Sequence, residues 1–423
     1  MKKATLIFLL LAAAMLSACN NRAEQREENQ TTNMNENSNT GLTGELTIAS
    51  LSFTGSVNPL LESAARMFEA QNEGVTIRNV IYDNWQTYAQ IINTALMSGG
   101  GEDIISIQNL QWQRLADTGR LVDMNDHIHL RPGEFYQNVL DAFLYNGGRY
   151  VIPLTFGLSA FQARDLLAPD ERPSVLTLEN LIELSNAHPE ALLFQSGTGF
   201  GGTPASVAEL FFELDFHKYI DLANRVANID NENFITLLEA VQTMSNGLRW
   251  GEAGEEALFW EILIHSPAMT INGTDDFSDF IVATNSSGGN LASAHNGFAI
   301  NANSQNQELA AAFMQFLLSK EMQTSPEIHG TPINRAAAAE RSRMTISSIR
   351  AYPGYTGSTA DFDLENNIAI FNKFEASVTS VGIADPMIRN FVRAEMERFF
   401  NGEVTAQEAA SNLQIRLTTY LNE

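Results

Sequence analysis

Two short segments contain residue types whose spacing could bind an ion. His127 and His129 are two positions apart, so on a strand both imidazoles would lie on one face and could coordinate a metal. No third ligand lies within motif range, and we expect no metal site there. The glycine-rich segment 197–202 could hold a phosphate through its backbone N–H groups, but it lacks the lysine and the serine or threonine of a P-loop. A phosphorylated ligand is therefore only a minor alternative.

Motifs of catalysis are missing from the sequence. The chain contains no Gly-x-Ser-x-Gly, no His-Glu-x-x-His and no cysteine–histidine pair. Its 50 acidic residues are too numerous for any two to be singled out as an acid and a base. The sequence predicts a binding protein with no catalytic residue, no metal and no cofactor.

The only cysteine of the chain, Cys19, ends an N-terminal targeting pattern. Met1-Lys2-Lys3 is followed by an apolar run, 6–16, that is too short to span a bilayer, and then by small residues. The pattern resembles a bacterial lipoprotein signal, in which the cysteine is acylated and becomes the first residue. It implies a signal peptide at 1–18 and palmitate on Cys19, which would anchor the protein at the extracytoplasmic face of the cell membrane. The alternative is an ordinary secretory signal with an incidental cysteine.

Composition excludes several classes of function. The 423 residues, 44% of them hydrophobic, are enough for two domains with sizeable cores. The formal net charge of −25 argues against a nucleic-acid partner, because phosphate binding needs clustered lysine and arginine. Residues 19–44 are mostly polar and cannot bury enough surface to fold, so we predict that they form a flexible tether.

Strands and helices alternate in the first part of the folded body. Predicted strands at 46–51, 75–81 and 104–107 are followed by helices that begin at Pro59, Trp85 and Leu110. This alternation implies a mainly parallel sheet covered on both faces. Ligands bind at the carboxyl ends of such strands, so residues 50–54 and 107–112 are candidate site segments.

The rest of the body has a coarser pattern. Residues 177–260 are predicted to be mostly helical, with Trp250 and Trp260 on helix patterns as packing residues. A strand is predicted at 297–300, and a helix at 307–318. Two helices are predicted within 386–420, separated by Asn401-Gly402.

Several segments together carry a resemblance to a known family. They are 101–105 with 115–123, the strand 147–153, the segment 268–273, the segments 299–306, 308–321 and 330–335, and the tail 401–409. In order and spacing they resemble the extracellular solute-binding proteins of bacterial ABC importers, the group that includes maltose-binding protein. The resemblance covers nearly everything after the tether.

The resemblance implies an α/β fold of two lobes, the periplasmic-binding-protein fold of type II. The lobes would be discontinuous, 45–153 with 298–343 and 156–293 with 345–423, and the ligand would lie in the cleft between them. Hinge crossings are expected near 154–158, 294–297 and 345–355. Hinges of a few residues let two lobes close over a ligand without breaking either core.

Positions that would face the ligand also follow from the resemblance. They are Ser52, Phe53, Gln108, Asn109, Trp112, Phe156, Phe200, Asp275, Asp276 and Arg389. Aromatic rings stack on the apolar face of a sugar, while polar groups bind its hydroxyls. Asp275, Asp276 and Arg389 stand where maltose-type members have aromatic residues, which argues against maltose and leaves open a polar or cationic ligand.

Each candidate site residue also has a structural alternative. Phe53 and Trp112 could belong to the core of a lobe, Asp275 and Asp276 could cap a helix, and Arg389 could lie on a helix surface. Only the tertiary structure can show whether these residues face the cleft or have these structural roles.

The predicted function is capture of a small solute, most readily a carbohydrate or oligosaccharide, by a monomer that delivers it to an ABC permease. A second hypothesis is a receptor that reports its ligand to a membrane histidine kinase. The sequence does not separate the two hypotheses, because a permease and a kinase would both recognise the same closure of the lobes. A third is a surface hydrolase that acts on glycans.

Overall fold

The computed structural model describes residues 41–52, 58–195, 202–244, 257–268, 277–294, 296–351, 363–383 and 385–423. The predicted signal peptide, Cys19 and most of the tether lie outside these ranges. The candidate site residues Phe53, Phe200, Asp275 and Asp276 also lie outside them.

The strands of the described ranges are numbered in chain order. They are β1 Gly44–Leu51, β2 Val75–Tyr82, β3 Ile104–Ser106, β4 Ile152–Pro153, β5 Thr155–Ala163, β6 Leu192–Gln195, β7 Ile220–Asp221, β8 Val226–Ala227, β9 Ala257–Ile264, β10 Phe280–Ile281, β11 Asn290–Ala294, β12 Gly297–Ile300, β13 Thr331–Pro332 and β14 Val378–Val381.

The α-helices are numbered in the same way. They are α1 Pro59–Gln71, α2 Trp85–Met97, α3 Trp112–Asp117, α4 Gln137–Ala142, α5 Leu178–Ala187, α6 Pro204–Leu214, α7 Phe216–Tyr219, α8 Glu232–Thr243, α9 Gln307–Leu317, α10 Lys320–Gln323, α11 Arg335–Ala351, α12 Leu364–Ala376, α13 Pro386–Phe400 and α14 Ala406–Asn422. None of the helices in the described part of the chain is both long enough and apolar enough to cross a membrane.

The first sheet has the strand order β2-β1-β3-β12-β4. β1 pairs in parallel with β2 and β3, as predicted, whereas β12 is antiparallel to β3 and to β4. Asp103 fixes the middle of the sheet, because its Oδ2 accepts hydrogen bonds from Thr47 N and Thr47 Oγ1, both at 2.7 Å. Its Oδ1 accepts a hydrogen bond from Ser304 Oγ at 2.5 Å, which also fixes the segment after β12.

The second sheet has the strand order β14-β11-β5-β9-β6, with β10 and β13 also paired to β5. It is mixed, since β5 is antiparallel to β9 and β11 while β6–β9 and β11–β14 are parallel pairs. Each sheet and its covering helices form one lobe. The chain passes from the first sheet to the second between Pro153 and Thr155, and it returns between Ala294 and Gly297. The exact lobe boundaries stay a prediction. One strand departs from the predicted division: β13 lies in a segment assigned to the first lobe, but it pairs with β5 of the second.

Two hydrophobic clusters stabilise the lobes. One covers the first sheet, where Phe68 of α1 meets Phe313 of α9 edge to face at 5.3 Å, and it continues along the start of β5. The other lies between the second sheet and helices α5, α6, α8, α13 and α14. Burial of apolar surface in both clusters is the main stabilising force, at about 25 cal/mol per Å².

Local helix signals in the sequence are confirmed. Asn58 Oδ1 accepts a hydrogen bond from Leu60 N at 3.0 Å, so Asn58 caps α1 and Pro59 is its first residue. The helix that begins at Trp85 ends at Met97, and Asn401-Gly402 separates α13 from α14.

The mostly helical prediction for 177–260 is wrong in part. Strands β6, β7, β8 and the start of β9 interrupt the helices there. Trp260 lies on β9, half-buried, with the Arg164 guanidinium 5.6 Å from its ring centroid. The aromatic and β-branched residues of Ala257–Ile264 suit a strand between two others better than a helix. Trp250 lies outside the described residues.

Candidate functional site

A cavity of about 560 Å³ lies between the two lobes. The first lobe contributes the loop after β3 and the start of α3, and the second contributes β11, the end of β14, and helices α6 and α13. The lining residues used below are Gln108, Asn109, Trp112, Ser159, Glu209, Glu213, Glu261, Gly297, Gly382, Arg389 and Arg393. The cavity is at the carboxyl end of β3, where the alternation of strands and helices predicts a ligand.

The first-lobe wall is a tight turn between β3 and α3. Leu110 N donates to Ile107 O at 3.0 Å, and Asn109 adopts a left-handed backbone with φ +58°, a conformation that asparagine tolerates better than most residues. A Cβ on Gly297 would lie 2.8 Å from Ile107 Cδ1, so glycine is needed where β12 passes this turn. The turn places Gln108 and Asn109 on the cavity.

Trp112 follows this turn but is packed rather than open. Its side chain is 2% exposed, and its ring meets Tyr145 edge to face at 6.0 Å. Its Nε1 has no hydrogen-bond partner among the described residues. The indole therefore borders the cavity without offering a free ring face for a sugar to stack on.

Four charged side chains form the second-lobe wall. Glu209 and Glu213 are four residues apart on α6, and Arg389 and Arg393 are four residues apart on α13, so each pair lies on one helix face. Arg393 Nε donates to Glu209 Oε2 at 2.7 Å, and Arg389 Nη2 lies 3.1 Å from Glu213 Oε1. Arg389 Nε is also 3.8 Å from Glu209 Oε1. The four side chains form one network that joins the two helices.

Burial dominates the electrostatics of Glu213. It raises the pKa of the carboxyl, the Arg389 guanidinium lowers that pKa in part, and the Glu209 carboxylate raises it further. A Cβ on Gly382 would lie 2.7 Å from Glu213 Oε2, so the chain after β14 approaches the carboxyl closely, and a larger residue at this position would displace the end of the Glu213 side chain. Arg389 Nη2 also donates to Ile383 O at 2.9 Å, which holds the guanidinium against the same segment.

The structure brings together four of the described candidate residues. The cavity between the lobes is lined by Gln108, Asn109, Trp112 and Arg389. Arg389 lies on the surface of α13, and that surface is part of the cavity wall.

Phe156 is the clearest correction among the candidates. It is completely buried, and its ring packs against Tyr136 at 5.1 Å and Phe371 at 5.9 Å, so it is a core residue and does not line the cavity. Ser52 directly follows β1, its N donates to Tyr82 O at 2.8 Å, and it is not among the residues that line the cavity.

Sequence reasoning missed Glu209, Glu213, Glu261, Ser159 and Arg393. The signal that could have found the charged wall is the spacing of four between two glutamates on one predicted helix and between two arginines on another. Ser159 and Glu261 lie on neighbouring strands β5 and β9, and no local motif marks them.

The two histidines have no arrangement suited to a metal. His127 and His129 are both exposed and lie after a short 3-10 helix, Met124–Asp126, rather than on a strand. Within the described ranges, no group of three or more His, Cys, Asp or Glu side chains is placed to hold an ion.

Solved structures with a similar fold include three proteins that are described as sugar-binding or maltose-binding. The sugar-binding protein MalE from Xanthomonas citri has a TM-score of 0.65 at 14% identity, with 90% of this chain and 98% of that chain covered. The cyclic α-maltosyl-1,6-maltose binding protein from Arthrobacter globiformis has a TM-score of 0.60 at 14% identity, covering 90% and 99%. The MalE domain from Bdellovibrio bacteriovorus bound to maltotriose has a TM-score of 0.54 at 15% identity, covering 90% and 100%. At these identities the likeness concerns the fold.

Sequence comparison identifies the family. No curated protein matches the chain. Residues 63–342 match the family described as bacterial extracellular solute-binding protein. This match covers well over half of the chain. It includes the first-lobe wall of the cavity and Glu209 and Glu213 of the second-lobe wall, and it ends within α11. The chain belongs to the bacterial extracellular solute-binding proteins, which bind their solute outside the cytoplasm.

Proposed function

We propose that this protein captures a carbohydrate in the cleft between its lobes and delivers it to the permease of an ABC importer. One observation carries the proposal: polar side chains from both lobes line a single cavity of about 560 Å³. That volume is within the usual range of about 300–1,000 Å³ for small-molecule sites. A solute held by both walls would favour the conformation in which the lobes approach each other.

The chemistry of the lining favours an uncharged solute with many hydroxyls. Gln108, Asn109 and Ser159 supply both donors and acceptors, which suits groups that also donate and accept. The Arg389 and Arg393 guanidinium groups already have carboxylate partners on α6, so their charges are not available to balance an anionic ligand. The three structural neighbours are described as a sugar-binding protein, a maltose/maltodextrin-binding domain bound to maltotriose, and a cyclic α-maltosyl-1,6-maltose binding protein, and these descriptions support a carbohydrate.

Delivery would depend on the N-terminus. Cys19 would carry the lipid, and residues 19–44 would link the lipid to β1 with a root-mean-square reach of about 3 nm for a flexible chain. The lobes 45–153 with 298–343 and 156–293 with 345–423 would close as a monomer about their hinge. Tethering raises the effective concentration of the loaded protein beside a membrane partner.

A thermal-shift screen tests ligand capture. Wild-type protein is incubated with monosaccharides, oligosaccharides, polyols, amines and sugar phosphates, and a bound solute raises the midpoint of unfolding. Gln108→Ala should weaken the binding of the best carbohydrate about tenfold by titration calorimetry. Gln137→Ala, at an exposed position on α4, is the matched control and should bind as the wild type does. Stabilisation by no carbohydrate, or only by amines or sugar phosphates, would refute the proposed ligand.

A second experiment tests delivery. Cys19→Ala should release the protein into the medium, leave carbohydrate binding intact and reduce uptake by the cell. Normal uptake of the radiolabelled carbohydrate by cells carrying only Cys19→Ala would contradict the role of the lipid anchor.

A further inference from the structure

Away from the hinge, a short chain of side-chain hydrogen bonds joins the two lobes beside α3 and α14. Gln111 Nε2, just before α3 in the first lobe, donates to Tyr420 Oη at 2.5 Å, across a sequence separation of 309 residues. Tyr420 lies in the last turn of α14 in the second lobe, and its hydroxyl donates to Asp385 Oδ2 at 2.8 Å. The tyrosine hydroxyl is therefore the link between the two lobes at this place.

This contact is made by side chains that solvent can reach. Gln111, Tyr420 and Asp385 are all half-buried, and α3 and α14 do not pack along their lengths. A small cavity of about 50 Å³ separates the two surfaces, and the Arg114 guanidinium lies 5.9 Å from the centroid of the Tyr420 ring. Such a contact can separate without exposing a hydrophobic core.

The lobe contact near α4 is of a different kind. There, helix α4 of the first lobe packs closely on β14 of the second, and Asn138 Nδ2 donates to Ala376 O at 2.9 Å. Tyr136 beside this helix contacts Phe371 of α12 through buried rings at 6.2 Å. Separating these surfaces would expose apolar area, so the lobes are expected to stay in contact here while they move at the Gln111–Tyr420 contact.

Both end residues of this hydrogen-bonded chain, Gln111 and Asp385, are close in sequence to residues that line the cavity. Gln111 precedes Trp112, which borders the cavity. Asp385 caps α13, because its Oδ1 accepts from Met387 N at 2.8 Å and from Ile388 N at 3.4 Å. Arg389, one turn farther along α13, lines the cavity.

We propose that Tyr420 is a latch residue that holds the two lobes together beside the cavity and slows release of the bound solute. The inference rests on the proposed capture of a solute between the lobes. Tyr420 does not line the cavity, so it acts as a positioning residue through α3 and α13. Loss of its hydroxyl should shift the lobes toward an open arrangement and speed ligand dissociation about 5- to 30-fold.

The test uses Tyr420→Phe and Gln111→Ala, alone and together, in the full chain. Tyr420→Phe keeps the edge-to-face contact of the ring with Phe391 at 5.6 Å, so α14 keeps its packing. Tyr82→Phe is the matched control, since the Tyr82 hydroxyl donates to Glu102 Oε1 at 2.8 Å within the first lobe alone.

Lobe separation is measured without added solute by single-molecule energy transfer. The dyes are attached at Arg66→Cys in the first lobe and Glu232→Cys in the second, both exposed positions, in the Cys19→Ala background. Each latch variant should populate the open arrangement more than the wild type and Tyr82→Phe do. Gln111→Ala leaves the hydrogen bond between Arg114 and the Tyr420 hydroxyl, so Tyr420→Phe should have an effect at least as large as Gln111→Ala. The double variant should equal Tyr420→Phe, because the Gln111 bond is already lost when the hydroxyl is removed.

The second arm is stopped-flow dissociation of the carbohydrate that stabilises the wild type most. If the wild type binds no carbohydrate, the proposed function is refuted, but the energy-transfer measurement still shows whether Tyr420 holds the lobes together. If Tyr420→Phe unfolds, Gln111→Ala decides it. Identical lobe distributions in wild type, Tyr420→Phe and Gln111→Ala would overturn the proposal.

Discussion

Arg393 Nε donates a hydrogen bond to Glu209 Oε2 at 2.7 Å, and this pair joins α13 to α6 at the cavity wall. The Glu209 side chain is only 7% exposed, whereas that of Arg393 is half exposed. A carboxylate buried to this extent needs its counter-charge, because water cannot reach it to stabilise the charge. The wall of the ligand cavity therefore depends on an ion-pair network.

Arg393→Ala should lower the free energy of unfolding by about 1–3 kcal/mol, because it removes the closest partner of a buried carboxylate while Arg389 stays nearby. Denaturation in urea measures the change. Arg66→Ala is the control: the Arg66–Glu62 pair is exposed, at 62% and 56%, and should contribute less than about 0.5 kcal/mol. Equal effects of the two substitutions would show that the network does not stabilise the wall.

Glu213 should make stability depend on pH. Burial raises its pKa above the ordinary value of 4.5, so the folded protein binds this proton more tightly than the unfolded chain does. The stability that protonated Glu213 contributes is complete below the ordinary pKa and is lost as the pH rises through the raised pKa.

Glu213→Gln removes that titration. The free energy of unfolding of the wild type minus that of Glu213→Gln should therefore be larger at pH 5 than at pH 8, which means that the wild type is relatively more stable at pH 5. Urea denaturation at both pH values measures the difference. The uncharged control Gln137→Ala should have the same effect at both. A difference between wild type and Glu213→Gln that does not change with pH, or that changes in the opposite direction, would exclude this linkage.

Asp103→Ala should destabilise the first lobe by about 2–4 kcal/mol. The substitution removes the acceptor of the hydrogen bonds from Thr47 N, Thr47 Oγ1 and Ser304 Oγ, and it leaves polar groups of the sheet unsatisfied. Chemical denaturation followed by circular dichroism measures the loss. Asp126→Ala, at an exposed position, is the control and should change stability by less than about 0.5 kcal/mol. A loss of stability in Asp103→Ala as small as that in Asp126→Ala would contradict the structural role of Asp103.

Phe156→Ala should cost about 3–5 kcal/mol of stability, because it leaves a cavity among buried rings. Phe156→Leu, which fills more of the space, should cost less. Denaturation measures both costs, and calorimetry with the best carbohydrate should show that Phe156→Leu keeps most of its affinity. A large loss of affinity without a loss of stability would instead return Phe156 to the site.

Local elements of this protein follow from local residues. Asn58-Pro59 begins α1 because a side chain caps the first backbone N–H groups and proline has none to satisfy. Asn401-Gly402 ends α13, where Gly402 adopts φ +75°. The polar loop after β3 was predictable for a related reason, since the carboxyl ends of neighbouring parallel strands share one edge of the sheet.

The charged wall could not be predicted in this way. The two glutamates on α6 and the two arginines on α13 have a regular spacing, but α6 and α13 are far apart in the sequence. Only the packing of α13 on α6 brings the two patterns together into one ion-pair network, in which the glutamates are largely buried and the arginines are about half exposed. The Gln111–Tyr420 contact is a stronger case, because neither residue has a local feature that marks it.

The sequence by itself determined the α/β character, most of the helices and the resemblance to solute-binding proteins, while the signal and the tether stay predictions from it. These depend on composition and on short-range periodicity, which every segment carries within itself. The tertiary structure alone decided that Arg389 faces the cavity while Phe156 is buried, and that Tyr420 joins the lobes. The physical reason is that burial and pairing depend on which distant segments pack over a residue, and no single segment contains that information.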